Sequence, residues 1–367
     1  MKIMLLLSSL NAGGAERVGV SLANAWVAQG HEVVMVPTYS QGTGQSFYPI
    51  DKRVQVLWLN QELPRHKLLS QLTKPYYLRR IMKRVQADVM VSFLTNVNVM
   101  SLLASRGLNI PLVVSERSHP LHQKISSSLK YLRKRLYPYA DVVMLQTQQA
   151  ADEFSQTMPP LKSLVVMPNP LPDELSQDAQ QAPVNAPSKR VMAMGRLVSS
   201  KQFDLLIHVF SQALKQAPDW TLHIYGEGPE RAKLQGLIQS LQKSQSIFLE
   251  GKTTEPWAMM SQAQVFAMTS RLEGFPNVML EAMARGLPVV AFDCPSGPKE
   301  ISRDGEFADI VPLGRDKQYE SALLRLMQDN HYRHDLAQRG QAHVLAHYSQ
   351  EQVLQQWDAL FKRLLTQ

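Results

Sequence analysis

Two glutamates stand eight positions apart in the segment Glu273-Gly-Phe-Pro-Asn-Val-Met-Leu-Glu281. Pro276 and Asn277 suit the start of a helix and Gly286 suits its end, which predicts a helix of about ten residues. Glu273 then lies on the loop before the helix, and Glu281 lies in its second turn. The two carboxylates therefore contact different parts of a ligand and do not share a proton. We interpret them as two separate acceptors for hydroxyl groups.

The backbone amides at the start of this helix are a second chemical feature of the segment. The first turn of a helix leaves its N–H groups without intrahelical partners and carries the positive end of the helix dipole. We predict that this tip binds a phosphate group, with contacts at Gly274, Phe275, Asn277 and Val278. One end of the site then holds a sugar and the other a ribose. The alternative is that Glu273 only caps the helix and Glu281 is a solvated helix residue.

Short apolar runs with helical patterns between them supply the elements that position these side chains. The runs are 3–7, 33–36, 54–57, 89–93, 112–114 and 142–145 in the first half, and 191–194, 222–225, 247–249, 265–268, 289–292 and 310–311 in the second. Such runs are typical of strands that crossover helices cover on both faces. We therefore expect an α/β protein with two doubly wound lobes.

The domain organisation follows from length and composition. A chain of 367 residues favours two domains. A polar stretch with prolines predicts a linker over 173–188, between an N-terminal domain at 1–172 and a C-terminal domain at 189–348. Apolar side chains at helical spacing predict an amphipathic helix over 349–367. The sequence leaves open whether this helix packs back onto the first domain.

The overall composition excludes several classes of protein. Hydrophobic residues are 44% and charged residues 19%, as in ordinary globular proteins and unlike disordered or collagen-like chains. The lone Cys294 forms no internal disulfide, which favours a reducing compartment. No stretch reaches the roughly 18 apolar residues of a membrane-spanning helix. We expect no such helix.

The Glu273–Glu281 segment resembles the E-x7-E signature of the retaining GT-B glycosyltransferases of family 4. The resemblance implies two Rossmann-like domains facing a central cleft, with the donor bound by the C-terminal one and the acceptor by the N-terminal one. It implies that Glu273 contacts the donor sugar and Glu281 the ribose. The stretch after the linker resembles the family's diphosphate-binding stretch, so Arg196 and Lys201 are expected to stabilise charge on the departing oxygens. The alternative is a pair of exposed charges at a turn.

Two groups of glycines resemble further parts of this family. Gly13 and Gly14 follow the first strand and open a helix, where the helix start favours an anion, although a plain tight turn is the alternative. The loop does not fit G-x-G-x-x-G, which disfavours nicotinamide binding. Gly226 and Gly251 resemble loops that border the nucleotide, the second near the base.

The segment Glu116-Arg117-Ser-His119 ends a strand, where open α/β sheets place ligands. Glu116 and Arg117 are interpreted either as contacts for the acceptor or as a local ion pair. Many members of the family have a functional histidine in this neighbourhood, so the resemblance makes His119 a candidate catalytic residue. An ordinary loop histidine is the alternative.

Positive charge is concentrated in the first half of the chain. Residues 1–170 hold 19 basic and 9 acidic side chains, and the segment 63–86 has no acidic residue. This segment mixes apolar and basic residues at helical spacing, interrupted by Pro75, and basic amphipathic helices bind anionic lipid. The predicted membrane or acceptor contacts are Arg79, Arg80, Lys83 and Arg84. A solvated helix face is the alternative, and no nucleic-acid platform is apparent.

We therefore predict a retaining glycosyltransferase that moves a hexose or N-acetylhexosamine from a UDP-sugar to a polyprenyl-diphosphate-linked glycan in bacterial surface-glycan or glycoprotein-glycan assembly. No cofactor or metal is expected, because the sequence has no D-x-D spacing and no cluster of His or Cys by spacing. We expect the protein in the cytoplasm, peripheral on the inner face of the cell membrane. The alternatives are a GT-B-fold nucleotide-sugar epimerase and a non-catalytic basic membrane-binding module.

Overall fold

The computed structural model describes residues 1–39, 45–64, 66–177 and 188–366. The chain forms two compact units, the first comprising Met1–Pro170 and Val353–Gln367 and the second Leu171–Gln352. The start of the predicted linker is part of the second unit, because Asp173–Gln177 form a short helix and Leu175 is buried in that unit's core. The predicted linker residues 178–187 lie outside the described residues.

The first unit is built on a parallel sheet with seven strands in the described part of the chain. They are Lys2–Leu7 (β1), Glu32–Pro37 (β2), Gln55–Val56 (β3), Val89–Phe93 (β4), Leu112–Ser115 (β5), Val142–Leu145 (β6) and Leu164–Val166 (β7). Their order is β3-β2-β1-β4-β5-β6-β7. The apolar runs predicted β1 to β6. Strand β7 was not predicted, because it has only three residues and lies half-buried at the sheet edge.

The second unit contains a parallel sheet with six strands among the residues that are described. They are Arg190–Met194 (β8), Thr221–Tyr225 (β9), Ile247–Gly251 (β10), Val265–Met268 (β11), Val289–Asp293 (β12) and Asp309–Pro312 (β13). Their order is β10-β9-β8-β11-β12-β13. All six coincide with the predicted runs, so the two doubly wound lobes are confirmed.

Helices connect the strands in both units. Those of the first unit are Gly14–Ala28 (α1), Leu59–Glu62 (α2), Lys67–Val85 (α3), Thr95–Ala104 (α4), Ser127–Leu136 (α5) and Gln148–Thr157 (α6). The following ones are Asp173–Gln177 (α7), Phe203–Ala213 (α8), Arg231–Ser240 (α9), Pro256–Met260 (α10), Asn277–Ala284 (α11), Pro298–Ile301 (α12), Asp316–Gln328 (α13), Asn330–Tyr348 (α14) and Gln350–Leu365 (α15). None of the described helices is long and apolar enough to cross a bilayer.

Both sheets are covered on their two faces. In β1, Ile3 and Leu5 pack into one apolar core while Met4 packs into another on the opposite face. In β12, Val290 and Val289 likewise belong to different cores. Alternate residues of a strand point to opposite faces, so a strand that is apolar throughout must lie between two helical layers.

The terminal helix α15 packs on the first unit. The rings of Trp357 and Phe361 lie 5.4 and 5.6 Å from that of Trp26 in α1, and Gln29 donates a hydrogen bond to Asp358 at 3.2 Å. Its buried apolar residues are Val353, Leu354, Trp357, Leu360, Phe361 and Leu364. Burial stabilises the contact by about 1.5 to 3 kcal/mol for each large side chain. The sequence left open whether the terminal helix packs on the first domain, and these contacts show that it does.

Candidate functional site

The loops after neighbouring strands of the second sheet are bonded together at its carboxyl end. Strands β8, β11 and β12 are adjacent, and open parallel sheets bind ligands at this edge. The Thr269 hydroxyl, after β11, is 3.0 Å from the carbonyl oxygens of Lys201 and Gln202, after β8. These bonds fix the loop that carries Lys201 beside the loop that leads to Glu273.

Glu273 is held by its backbone and paired through its side chain. Its amide donates to the Pro295 carbonyl at 2.8 Å, and its carbonyl accepts from the Ser296 amide at 3.0 Å. Its carboxylate accepts a hydrogen bond from Lys201 Nζ at 2.5 Å, with side-chain exposures of 12% and 20%. Glu273 therefore faces Lys201 and is not a helix cap. The fold brings together the two side chains predicted to bind the sugar and the diphosphate, and they neutralise each other.

Glu281 is buried and oriented. It is 2% exposed, and Trp257 Nε1 donates to its Oε2 at 3.1 Å. The alternative of a solvated helix residue is therefore wrong. Trp257 lies in the first turn of α10, the helix that follows β10, and it was not among the predicted site residues. The available signal in the sequence was its position just after the strand that ends at Gly251. A single tryptophan forms no motif, so this position alone did not identify it as a site residue.

The tip of α11 differs from the predicted one. The helix has eight residues, and the Asn277 amide donates to the Phe275 carbonyl at 2.9 Å, so this N–H group already has a partner. The Phe275 ring is 7% exposed and lies in the apolar core. Only the backbone of Phe275 is therefore placed to contact a ligand. The predicted contacts through Gly274 and Val278 stay predictions.

Arg196 stands apart from this paired arrangement. It follows β8 and is exposed, and its guanidinium has no ion-pair partner within the described ranges. Its loop is set by the predicted loop glycines, because the Gly226 amide donates to the Gly251 carbonyl at 2.7 Å. Gly226 has a φ of 143°, and a Cβ there would lie 1.9 Å from the Gly195 carbonyl oxygen. Gly226 thus permits the close packing that positions Arg196.

Cys294 lies beside the Glu273 and Lys201 pair. Burial is the largest cause that raises the pKa of its thiol, and the charge of Glu273 raises it further while Lys201 opposes this effect. The thiol is therefore neutral near pH 7. Since the thiolate is the nucleophilic form, Cys294 is not suited to covalent catalysis.

Gly13 and Gly14 stand at the start of α1 in the first unit. The Glu16 carboxylate folds back beside them and accepts hydrogen bonds from the hydroxyls of Ser8 at 2.9 Å and Ser9 at 3.2 Å. A Cβ on Gly13 would lie 2.2 Å from Glu16 Oε2. Because a carboxylate already complements the positive end of this helix, its start is less suited to an anion than the sequence predicts.

Glu116 is part of the interior of the first unit. It is 1% exposed and accepts hydrogen bonds from Thr95 Oγ1 at 2.7 Å and from the Tyr137 hydroxyl at 2.5 Å. The guanidinium of Arg133 lies 3.9 Å from the same carboxylate. These contacts place Glu116 in the interior, away from solvent, which corrects its predicted contact with the acceptor.

Arg117 is buried as well. Its guanidinium donates to the Asn169 side chain and lies 4.2 Å from the centre of the Phe93 ring. Burial lowers the pKa of Arg117 to about 9, so the group stays charged at neutral pH. Neither the predicted acceptor contact nor a pair with Glu116 describes its surroundings, because the groups that it contacts belong to the interior.

His119 follows on the loop after β5 and is 3% exposed. Burial is the largest cause that lowers its pKa, with His122 lowering it further and Glu153 opposing. The imidazole is therefore neutral near pH 7. Ligand atoms of His119, His122 and Glu153 lie within 4.8 Å of one another, a cluster that sequence spacing did not reveal. A contact between His119 and a donor sugar stays a prediction.

The basic helix α3 runs unbroken through Pro75, where the sequence predicted an interruption. Arg79 donates to the carbonyls of Ala104 at 2.8 Å and Arg106 at 2.6 Å, so it caps the end of α4. This contact corrects the prediction of Arg79 as a free membrane or acceptor contact.

The other predicted basic contacts divide into two kinds. Arg84 pairs with Glu62 at 2.9 Å, whereas Arg80 and Lys83 are exposed. The exposed apolar residues on the same helix are Leu69, Leu72 and Tyr76, at 53%, 81% and 60%. At 100° per residue, these three and the exposed Arg80 and Lys83 fall within roughly 80° of one another around the helix axis. We call these five residues the α3 stripe.

Two families match different parts of the chain and together cover most of it. The family described as Glycosyl transferases group 1 matches residues 176–343, which include the loops around Lys201, Glu273 and Glu281. The family described as Glycosyl transferase 4-like domain matches residues 13–170, which include strands β2 to β7 of the first sheet.

Individual proteins are similar over nearly the whole length. The amylovoran biosynthesis glycosyltransferase AmsD of Erwinia amylovora is 27% identical over 97% of this chain and 98% of its own. A Campylobacter jejuni α-1,4-N-acetyl-D-galactosaminyltransferase, named for a diphospho-undecaprenol-linked GalNAc acceptor, is 27% identical over 96% and 97%. The crystal structure of Anabaena Alr3699/HepE with UDP-glucose superimposes with a TM-score of 0.79, at 21% identity, over 99% of this chain and 100% of its own.

Proposed function

The chain belongs to the GT-B glycosyltransferases of the family 4 type, and from that premise we propose which reaction it catalyses. It transfers a hexose or N-acetylhexosamine from a UDP-sugar, with retention of configuration, to a glycan on polyprenyl diphosphate in bacterial surface-glycan assembly. A relative named for a lipid-linked acceptor and one named for amylovoran biosynthesis support this assignment. So does a fold shared with an enzyme crystallised with UDP-glucose.

The observation that carries the proposal is the arrangement at one sheet edge, where Lys201 and Glu273 lie on bonded loops. Arg196 lies on the loop after β8, and Glu281 lies in helix α11, which follows Glu273. Glu281, oriented by Trp257, accepts hydrogen bonds from the ribose hydroxyls. Arg196 is the exposed cation for the diphosphate. Lys201 lies between the charges of Glu273 and of the incoming diphosphate, and Glu273 accepts from the sugar hydroxyls.

The reaction needs no covalent intermediate on this chain. The bond between the sugar C1 and the phosphate oxygen breaks, and its electrons pass to the diphosphate. The acceptor hydroxyl oxygen attacks C1 from the same face and gives its proton to the departing phosphate oxygen. Glu273 is engaged by Lys201 and the Cys294 thiol is neutral, so neither is disposed to attack. Arg196 and Lys201 stabilise the developing charge and supply the role that a metal ion fills elsewhere.

A donor panel scored by mass spectrometry tests the proposal. UDP-hexoses, UDP-N-acetylhexosamines and GDP-mannose are each mixed with polyprenyl-diphosphate glycans. We expect the acceptor to gain the mass of one sugar from a UDP donor, and the new linkage to be α. Lys201→Ala serves as the inactive control. Conversion of a UDP-sugar to its epimer without transfer would instead favour an epimerase, and absence of any turnover would favour a binding module.

We further propose that the α3 stripe docks on anionic lipid at the inner face of the cell membrane. Exposed leucines and a tyrosine on the same face as Arg80 and Lys83 allow apolar insertion beside charge attraction. Each basic residue near the surface contributes about 1 kcal/mol. Vesicles with anionic lipid should bind the Arg80→Gln/Lys83→Gln variant roughly tenfold or more weakly than the wild type.

Arg84→Gln is the matched control for this vesicle experiment. It removes one positive charge from the same helix at a position outside the stripe, where Arg84 already pairs with Glu62. Its binding should stay close to that of the wild type. Equal binding by all three proteins would contradict the membrane proposal and leave the donor chemistry untouched.

A further inference from the structure

Three side chains with nitrogen and oxygen donors converge in the first unit. His119 and His122 lie on the loop after β5, with ring centres 4.5 Å apart, and Glu153 lies on α6. Their ligand atoms lie within 4.8 Å of one another. Imidazole and carboxylate together are a donor set that divalent transition metals use.

The state of His119 is the independent observation that points to a missing ligand. Its side chain is fully buried, and both ring nitrogens have no hydrogen-bond partner among the described residues. Most buried polar side-chain atoms in proteins have at least one partner, so each exception needs an explanation. A bound cation on one ring nitrogen removes part of this deficit.

The distances suit a metal more than a direct contact. His119 Nε2 is 3.4 Å from Glu153 Oε2, and this approach is not a hydrogen bond. Two ligand atoms each 2.0 to 2.1 Å from a tetrahedral zinc ion are about 3.3 to 3.4 Å apart. The separation of this nitrogen and this oxygen therefore already matches that of two ligands on one ion.

The backbone and a neighbouring side chain hold the three residues in this arrangement. The His119 carbonyl accepts from the amides of His122 at 3.2 Å and Gln123 at 3.0 Å, and this turn brings the two imidazoles together. Gln149 donates to Glu153 Oε1 at 3.0 Å, which leaves Oε2 directed at His119. His122 is exposed to solvent.

We propose that His119, His122 and Glu153 form a binding site for a divalent transition metal of the zinc class. Three protein ligands leave a fourth position for water or another small ligand. The site does not suit Mg²⁺, which prefers oxygen ligands. Because the metal occupies His119, it competes with the contact between His119 and a donor sugar that the sequence predicts.

Zinc binding by the full-length protein tests the site directly. Protein stripped of metal is titrated with Zn²⁺ against a chromophoric chelator, and we expect one tightly bound Zn²⁺ per chain. Changing a residue that hydrogen-bonds to a metal ligand typically weakens metal binding about 10- to 100-fold. Loss of a direct ligand in His122→Ala or Glu153→Gln should therefore weaken it more than about 100-fold. Both side chains are partly or fully exposed, so these variants retain the fold, which circular dichroism checks.

His347→Ala is the matched control, because His343 and His347 on α14 form another histidine pair, with ring centres 4.6 Å apart. This variant should bind Zn²⁺ like the wild type, and Co²⁺ loaded in place of zinc should give the strong visible bands of a four-coordinate ion in both. Zinc lost in His347→Ala but kept in His122→Ala would overturn the proposal. So would a wild type that binds zinc no better than His122→Ala. Neither result depends on glycosyl transfer.

Discussion

Both units place charged side chains at the carboxyl ends of their strands, yet the two sets meet solvent differently. In the second unit Arg196 is exposed, and Lys201 and Glu273 keep 20% and 12% of their side chains exposed. In the first unit Glu116 and Arg117 are 1% and 8% exposed and bond to interior groups. A charged residue at a strand end is therefore available to a ligand only where buried groups do not already bond to its charged atoms.

The largest expected effect concerns Glu116 and stability. In Glu116→Ala, the Tyr137 hydroxyl loses its acceptor, and the buried guanidinium of Arg133 loses the opposite charge that lies 3.9 Å away. Removing one partner of a buried charge pair costs about 3 to 5 kcal/mol. The free energy of unfolding, measured with denaturant, should fall by that amount.

Glu116→Gln is the control for this prediction, because it keeps an acceptor oxygen in place and should cost less. Transfer activity per folded molecule should survive in the glutamine variant. If Glu116→Ala instead abolished transfer while leaving stability unchanged, Glu116 would be an acceptor contact after all. The contrast between the two units would then fail.

The next effect concerns Lys201 and catalysis. Lys201→Ala removes a cationic donor from the proposed diphosphate site, which typically costs about 2.7 to 4 kcal/mol, or 10²- to 10³-fold in kcat. Lys189→Ala is the matched control, because Lys189 lies in the same unit and pairs with Asp219 on the surface, where ion pairs contribute little. Its kcat should match the wild type. Equal kcat in both variants would contradict the proposed role of Lys201.

A smaller effect is expected at Trp257. Trp257→Phe keeps a ring in place but removes the N–H group that donates to Glu281. A less well oriented carboxylate should weaken UDP binding roughly tenfold, about 1.4 kcal/mol, which is close to the lower limit for a hydrogen bond to a charged group. Calorimetric titration with UDP measures this change. Unchanged affinity would show that Glu281 needs no orientation by the indole.

The sequence predicted most of the fold because long apolar runs report burial on both faces directly. Twelve of the described strands coincide with such runs, whereas β7 has three half-buried residues and gives no comparable signal. The path of α3 through Pro75 was not predictable, because packing of Leu78 and Ile81 in the core outweighs a local helix breaker.

The site was predicted less completely, because its features depend on contacts between distant segments. The spacing of Glu273 and Glu281 located two carboxylates, but not the bond from Lys201, which is 72 positions away in the chain. The partners of Arg79 and the cluster around His119 likewise form only when loops and helices meet. Sequence spacing indicates which residues have side chains of suitable chemistry. The fold determines which of these side chains are accessible to a ligand.

The smallest expected effect is at Cys294. This residue lies beside Glu273 and Lys201, yet it is buried like Glu116 and Arg117 of the first unit. Burial and the charge of Glu273 raise the pKa of its thiol, so almost no thiolate forms near pH 7. The native protein should resist iodoacetamide, and Cys294→Ala should keep the wild-type kcat with a stability cost of about 1 kcal/mol. Mass spectrometry measures the alkylation, and steady-state kinetics measure kcat. Rapid alkylation that abolishes transfer, together with an inactive Cys294→Ala, would assign Cys294 to the reacting groups and replace the same-face route with a covalent one.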